Sequence, residues 1–143
     1  MVGIGEASIS PAVMEKLRED NNVLIGPSNP ITSIGPIISL DGMPEFLKSK
    51  NVVAISPIIG NEPVSGPAGK LMNACGYGIS SNEVARCYHD FLDVFVTDIR
   101  DPQGCNSFEN MACNIVKTDT MMSSVDICIQ LAGYVRNLFE SLK

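Results

Sequence analysis

The segment between positions 26 and 36 has the composition of a stiff loop suited to binding an anion. It contains three prolines, two glycines and polar side chains at Ser28, Asn29, Thr32 and Ser33. Proline fixes φ, and glycine allows a ligand to approach the backbone closely. Free N–H and O–H groups donate to phosphate or carboxylate oxygens, and a preorganised set of donors loses less entropy on binding. Composition alone is equally consistent with a rigid loop that only turns the chain.

A second segment, from 57 to 70, combines glycines with the start of a predicted helix. Gly60, Gly66 and Gly69 surround this start, where N–H groups attract anions, and Lys70 would add a cation. The pattern matches neither the P-loop G-x-x-x-x-G-K-[ST] nor the dinucleotide-binding G-x-G-x-x-G. The alternative is that the glycines only start a helix and that Lys70 is solvated.

Carboxylates follow two further predicted strands, at Asp98 and Asp101 and at Asp119. Mg²⁺ prefers one or two carboxylates together with substrate phosphates, so these side chains are candidate metal ligands. Each could instead be an ordinary turn or cap residue. Arg86 could bind phosphate with two parallel hydrogen bonds, or it could pair with Asp90 four residues later.

These patterns define a candidate site with binding residues but no assigned catalytic residue. Asp119 is its candidate metal ligand. The candidate substrate- or nucleotide-binding residues are Gly26, Pro27, Ser28, Asn29, Ser33, Pro57, Gly60, Gly66, Lys70 and Arg86.

Four short apolar runs predict strands that would bring these segments together. They cover 23–25, 52–55, 94–96 and 114–116. Continuous apolar runs of this length are typical of parallel strands covered on both faces, and ligands bind beyond the carboxyl ends of such strands. The segments that follow the runs are therefore the expected binding region.

Helix signals alternate with the strands. They predict helices from 11 to about 20, around 45–48, from 67 to 75 with Cys75 on the apolar side, from 81 to about 91, and from 124 onward. Ser10, Ser80 and Ser123 are the predicted N-caps, and Glu83 completes a capping box with Ser80. This alternation predicts one α/β unit over 1–143 with a mostly parallel sheet.

Composition and charge exclude several classes of function. The chain has 143 residues, of which 45% are hydrophobic and 18% charged, enough for one core. A net charge of -6 argues against broad contact with nucleic acid, which needs clustered Lys and Arg. No apolar run approaches the roughly 18 residues of a membrane helix, and the amino terminus has no secretory pattern, so we expect a cytoplasmic protein.

Cysteine and histidine usage predicts neither a disulfide framework nor a zinc site. The cysteines are odd in number and form no C-x-x-C pair. They are Cys75, Cys87, Cys105, Cys113 and Cys128. His89 could act as a general base or metal ligand, but a surface residue near a helix end is the better interpretation.

Several long motifs resemble the 2-phospho-L-lactate transferase family of coenzyme F-420 biosynthesis. The motifs run in order over nearly the whole chain: IGPSNPITSIGPI at 25–37, VVAISPIIG at 52–60, VSGPAGKLM at 64–72, EVARCY at 83–88, FLDVFV at 91–96 and TDTMM at 118–122. The resemblance implies a Rossmann-like, three-layer sheet, of which this chain would hold the carboxyl-terminal portion.

The resemblance also implies an activity. A 2-phospholactyl group would pass from lactyl-diphosphoguanosine to a hydroxyl of 7,8-didemethyl-8-hydroxy-5-deazariboflavin, forming F-420-0 and releasing GMP, with Mg²⁺ as cofactor. Family members begin with a glycine-rich phosphate loop that this sequence lacks. We therefore expect the chain to correspond to the carboxyl-terminal half of a larger transferase and to be inactive alone.

Two alternatives remain at this stage. A sister branch of the same superfamily resembles this architecture and consists of non-catalytic regulators that bind nucleotide sugars. In the other alternative the chain is an inactive α/β fragment, whose exposed sheet edge and apolar faces favour a homo-oligomer.

Overall fold

A parallel sheet of four strands forms the centre of the fold. The computed structural model describes residues 3–60, 62–63, 66–102 and 112–142; Cys105 and motif residues 64 and 65 lie outside them. The strands are β1 (Asn22–Ile25), β2 (Asn51–Ile55), β3 (Ile58–Ile59), β4 (Glu62–Pro63), β5 (Val94–Asp98) and β6 (Asn114–Thr118). The helices are α1 (Pro11–Glu19), α2 (Gly35–Ile38), α3 (Met43–Lys48), α4 (Ala68–Ala74), α5 (Ser81–Arg86) and α6 (Val125–Ser141), with a π-helical turn at Pro30–Ile34 and a 3-10 turn at Ile4–Glu6.

The sheet order is β1-β2-β5-β6, and every pair in it is parallel. The register pairs Val53 with both Leu24 and Val94, so the strand ends are aligned across the sheet. β3 and β4 form a separate antiparallel pair. All four carboxyl ends therefore reach one edge, which confirms the predicted mostly parallel α/β fold.

Two apolar cores lie on opposite faces of the sheet because successive side chains of a strand point to opposite sides. Val52 and Ala54 face the core that includes residues of α1, α3, α4 and α5. Val53 and Ile55 face the core formed with α6. The result is a three-layer arrangement with α6 as one outer layer.

Capping residues explain where two of the helices begin. The side chain of Ser10 accepts a hydrogen bond from the Val13 amide, and that of Ser80 accepts one from the Glu83 amide. Both caps were predicted. The last helix differs, because Ser124 and not Ser123 caps α6 by accepting from the Ile127 amide.

Several predicted boundaries are wrong. α5 ends at Arg86 instead of near 91, whereas α1 ends at Glu19, close to its predicted end near 20. β5 and β6 each run two residues beyond the predicted end, so Asp98 is the last residue of a strand and does not follow it. The loop after β1 is also short, since the π-helical turn already begins at Pro30.

The structure corrects the prediction for Cys75 and places His89 at the surface, as predicted. The four cysteines among the described residues are free, and Cys75 is exposed instead of packing on the apolar side of α4. Burial raises the pKa of the Cys87 and Cys113 thiols. His89 is exposed and contacts its neighbour Asp90. Of the helices in the described ranges, none has both the length and the apolar character needed to cross a membrane.

Candidate functional site

A cleft of about 590 Å³ lies at the carboxyl ends of the strands. Three walls form it: the residues after β1, the residues between β2 and α4, and the residues after β6. A volume of this size is typical of small-molecule sites. The lining residues are Pro27, Ser28, Asn29, Thr32, Ser33, Ser56, Pro57, Gly66, Pro67, Ala68, Thr120, Met121, Met122 and Ser123.

The first wall is ordered by Asn29. Its side-chain oxygen accepts hydrogen bonds from the amides of Ile31 (2.9 Å) and Thr32 (3.3 Å) and so caps the π-helical turn. This turn places Thr32 and Ser33 on the cleft, next to Ser28. The stiff, polar segment predicted from composition is thus a cap and a turn that present hydroxyl groups.

The second wall joins the end of β2 to the start of α4. Ser56 and Pro57 leave β2 at the cleft, and Gly66, Pro67 and Ala68 return to it. Gly66 has φ 69°, in the left-handed region of backbone conformations that residues with a Cβ atom rarely adopt. Since α4 has seven residues, its peptide dipoles add only modestly to anion binding.

The third wall, from Thr120 to Ser123, is held by the buried carboxylate of Asp98. Asp98 Oδ2 accepts from the Thr120 amide (2.8 Å) and from Thr120 Oγ1 (2.9 Å). Burial opposes ionisation of Asp98, but these bonds, the Arg100 amide and the Arg100 charge outweigh it and lower the pKa of the carboxyl. Asp98 is therefore a charged anchor for this wall.

Arg100 links the ends of β5 and β6. Its Nη1 lies 2.9 Å from both oxygens of Asp98, and its Nη2 lies 3.0 Å from Asp119 Oδ1. The hydrogen bond to Asp119 raises the pKa of Arg100, with the charges of both carboxylates adding to the effect. Asp119 Oδ1 also accepts from the Met121 amide (3.0 Å). The Arg100 guanidinium thus holds Asp119, which in turn binds the backbone amide of Met121 next to the cleft.

A buried chain of hydroxyls connects the cleft to Asp101. Ser56 Oγ lies 2.9 Å from Ser81 Oγ, and Ser81 Oγ donates to Asp101 Oδ2 at 2.5 Å. The other carboxylate oxygen, Oδ1, accepts from the Gly60 amide at 2.7 Å. All three side chains of this chain belong to buried residues.

These contacts bear on whether the predicted carboxylates fit a metal ion. Asp98 and Asp101 use both oxygens in hydrogen bonds within the protein, and Asp119 uses Oδ1. In the ranges that the structure describes, no group of three acidic, histidine or cysteine side chains is placed to hold a metal. These residues alone do not fit a Mg²⁺ site made by protein ligands.

The structure brings together only part of the predicted site. Six predicted residues line the cleft, namely Pro27, Ser28, Asn29, Ser33, Pro57 and Gly66. Gly26 lines a separate apolar groove that runs along β1. Lys70 lines a shallower groove that shares Gly66 and Pro67 with the cleft, and Gly60 binds Asp101.

Arg86 lies outside the cleft on the exposed side of α5. Its Nη1 pairs with Glu83 at 2.9 Å, so the predicted alternative, an ion pair between Arg86 and Asp90, is wrong. This hydrogen bond raises the pKa of Arg86. The lining contributed by described residues is uncharged, and its donors are hydroxyls, one amide and backbone N–H groups.

Sequence reasoning missed Ser56 and the wall from Thr120 to Ser123. Ser56 follows β2 directly, and Thr120 follows the end of β6 after one intervening residue, so the rule that ligands bind at carboxyl ends could have found them. Asp119 drew attention because it is charged, yet it contacts Arg100 while its uncharged neighbours line the cleft.

Comparison with known proteins decides the family. The model of the family described as 2-phospho-L-lactate transferase CofD matches residues 1–130. Every described residue that lines the cleft lies within this match. The chain belongs to the 2-phospho-L-lactate transferase family.

Individual relatives in the family agree with this assignment. A 2-phospho-L-lactate transferase of Methanosarcina barkeri is 59% identical over 142 residues, covering 99% of this chain and 46% of the relative. That of Methanosarcina acetivorans is 56% identical over 140 residues, covering 98% of this chain and 46% of the relative. The Methanocaldococcus jannaschii protein of the same name is 46% identical over 127 residues, covering 89% of this chain and 39% of the relative. The chain thus spans about half the length of the curated relatives it matches.

Proposed function

We propose that the protein carrying this chain transfers a 2-phospholactyl group from lactyl-diphosphoguanosine to a hydroxyl of 7,8-didemethyl-8-hydroxy-5-deazariboflavin, releasing GMP and forming F-420-0. The observation that carries the proposal is the family match across all three walls of the cleft. The relatives are named as transferases, which favours this function over a nucleotide-sugar-binding regulator.

The chemistry of the cleft supports a role in holding the donor and acceptor. Hydroxyls at Ser28, Thr32 and Ser33 are neutral donors that suit diphosphate oxygens. Met121 and Met122 are 41% and 51% exposed and offer an apolar, polarisable surface for a planar ring. Group transfer to a hydroxyl depends mainly on positioning and on charge stabilisation, and this cleft supplies the positioning.

Mg²⁺ enters the proposal as an ion held chiefly by the substrate. Because the described carboxylates are engaged in hydrogen bonds, the diphosphate oxygens would be its main ligands. Asp119 Oδ2 is the one predicted protein ligand that the contacts described above leave available. When bound, the ion would neutralise charge on the diphosphate.

Asn29→Asp tests the cleft as the diphosphate site in the full-length protein that contains this chain. Aspartate keeps the oxygen that caps the π-helical turn, so the fold should be preserved. It also places a negative charge on the cleft wall. We expect the affinity for GDP, measured by calorimetry, to fall at least about tenfold, or about 1.4 kcal/mol.

Asn137→Asp on the exposed surface of α6 is the matched control, since it makes the same change of net charge away from the cleft. It should leave GDP affinity unchanged. Equal affinity in both variants and the unmodified protein would exclude the cleft as the diphosphate site. If the unmodified protein releases no GMP from lactyl-diphosphoguanosine and the deazaflavin, the proposed activity is wrong.

A further inference from the structure

We propose that Ser56 is a specificity-determining residue that accepts a hydrogen bond from a hydroxyl of the bound molecule, and that Asp101 fixes this role through Ser81. The inference rests on the proposed function in that it takes the cleft as the substrate site. It adds to that function a position in the cleft that selects hydroxyl groups over phosphate oxygens.

The direction of the buried hydrogen bonds carries the first step. An ionised carboxylate accepts hydrogen bonds and cannot donate. Ser81 must therefore donate its only hydroxyl proton to Asp101 Oδ2. Since a hydroxyl has one proton, the 2.9 Å contact between Ser56 and Ser81 requires Ser56 to donate.

The second step concerns the hydrogen-bonding capacity of the Ser56 hydroxyl that these contacts leave unused. The Ile58 carbonyl, 3.2 Å from Ser56 Oγ, is the other acceptor within reach of the Ser56 proton, but a proton donated to Ser81 at 2.9 Å is not available to it. One lone pair accepts from the Ile58 amide at 3.1 Å. A hydroxyl oxygen has two lone pairs, so the contacts among the described residues leave one unused. Ser56 is 1% exposed and lines the cleft, so a ligand group that reached its hydroxyl oxygen would meet this lone pair.

The third step identifies the chemical class that fits. A phosphate oxygen facing this lone pair would be repelled, because both atoms are acceptors. A hydroxyl would donate to it. Aliphatic hydroxyls occur at two places in the proposed reactants: the ribose of the guanine nucleotide and the side chain of the deazaflavin acceptor. Both have the same chemistry, and the experiment separates them.

Asp101→Asn reverses the proposed polarity while keeping the shape of the side chain. The Gly60 amide needs an oxygen at the Oδ1 position, so the new NH₂ group would face Ser81. It would donate to Ser81, Ser81 would then donate to Ser56, and the Ser56 proton would turn away from Ser81. Both lone pairs of Ser56 would then accept hydrogen bonds, one from Ser81 and one from the Ile58 amide, and neither would be left for a ligand.

The measurement is a ratio of affinities in the full-length protein. GDP is compared with its 2′,3′-dideoxy analogue, and the deazaflavin with an analogue whose side-chain hydroxyls are replaced by hydrogen. In one of the two pairs, Asp101→Asn and Ser56→Ala should each reduce the preference for the hydroxylated ligand about tenfold, the size of one hydrogen bond. The affected pair identifies the source of the hydroxyl.

Asp93→Asn is the matched control. It makes the same charge change, but Asp93 binds the Val52 amide at the opposite end of the sheet. It should leave both ratios unchanged. Unchanged ratios in Asp101→Asn and Ser56→Ala would overturn the inference, and so would an equal loss of affinity for ligand and analogue, which indicates a merely structural role. If the unmodified protein binds neither GDP nor the deazaflavin, the proposed function fails and this inference fails with it.

Discussion

At the scale of single residues, acidic side chains in this protein order the cleft instead of lining it. Asp98 and Asp119 hold the backbone of the third wall, while Asp101 holds Ser81 and Gly60. Carboxylates at strand ends are therefore used as acceptors for backbone and hydroxyl donors. The uncharged residues beside them are the ones that face a ligand.

The lowered pKa of Asp98 predicts an acid-dependent loss of stability. Its folded pKa lies below the unfolded value of about 3.9, so its contribution is present above that pH and is lost as the pH falls through the folded pKa. We expect Asp98→Asn to lower the free energy of unfolding at pH 7 by about 1–3 kcal/mol. The difference from the unmodified chain should shrink as the pH falls below about 4.

Urea unfolding followed by circular dichroism, at pH 7 and at stepwise lower pH, checks this prediction. Asp41→Asn, at an exposed position, is the control and should have little effect at any pH. A stability difference for Asp98→Asn that stays constant down to pH values well below 4 would contradict the role of its charge.

The candidate residues show what the sequence could predict at this scale. Ser28, Asn29 and Ser33 lie together on the cleft because polar residues that follow a parallel strand reach the sheet edge at its carboxyl end. Arg86 was chosen for its charge, which attracts anions, yet its nearest partner is Glu83 one helical turn away. Long-range pairs such as Gly60 with Asp101 leave no local pattern in a sequence.

At the scale of elements, the π-helical turn is the least regular part of the cleft. Pro30 starts it under the Asn29 cap, and Gly35 follows it at the start of α2. A Cβ on Gly35 would lie 2.9 Å from the carbonyl oxygen of Pro30. Turns of this type are often found at functional sites, and this one displays Thr32 and Ser33.

Gly35→Ala should destabilise the fold even though alanine is normally favoured in helices. The clashing atom belongs to the backbone and must shift, which costs about 1–3 kcal/mol. Gly26→Ala is the control, because a Cβ there meets nothing within 4 Å. Thermal melting followed by circular dichroism should show a lower Tm for Gly35→Ala only. Equal melting of both variants and the unmodified chain would mean that the turn absorbs the added methyl group.

Local capping signals predicted two helix starts, whereas the end of α5 could not be predicted from its apolar spacing. Ser10 and Ser80 cap as predicted because an N-cap hydroxyl binds an amide three residues later, a local interaction. α5 was predicted too long because Tyr88 and Phe91 continue its apolar spacing. The chain keeps this spacing with tight turns, in which the Tyr88 amide binds the Ala85 carbonyl and the Phe91 amide binds that of Tyr88.

At the scale of the whole molecule, β1 is an edge strand with apolar surroundings. Among the described strands it pairs only with β2. Leu24 on β1 is 49% exposed, and Val13 and Ile37 beside it are exposed as well. An unpaired edge with large apolar side chains promotes pairing with another chain.

We expect the 143-residue chain alone to form homo-oligomers through this edge. Leu24→Lys should shift it to a monomer, because a charge on an edge strand opposes pairing. Size-exclusion chromatography with light scattering over a range of concentrations checks this. Ile129→Lys, at an exposed position of α6, is the control and should leave the association unchanged. A monomeric unmodified chain would contradict the expected oligomer.

The order β1-β2-β5-β6 has a consequence for how the chain acquires its structure. Each strand of the main sheet docks beside the strand that precedes it in the sheet and in the chain, so no earlier strand must separate to admit a later one. Each parallel pairing must close a long crossover, and such non-local pairing is slow compared with the formation of local contacts. During synthesis on a ribosome, the sheet would therefore grow from β1 toward β6 in the order in which its strands emerge.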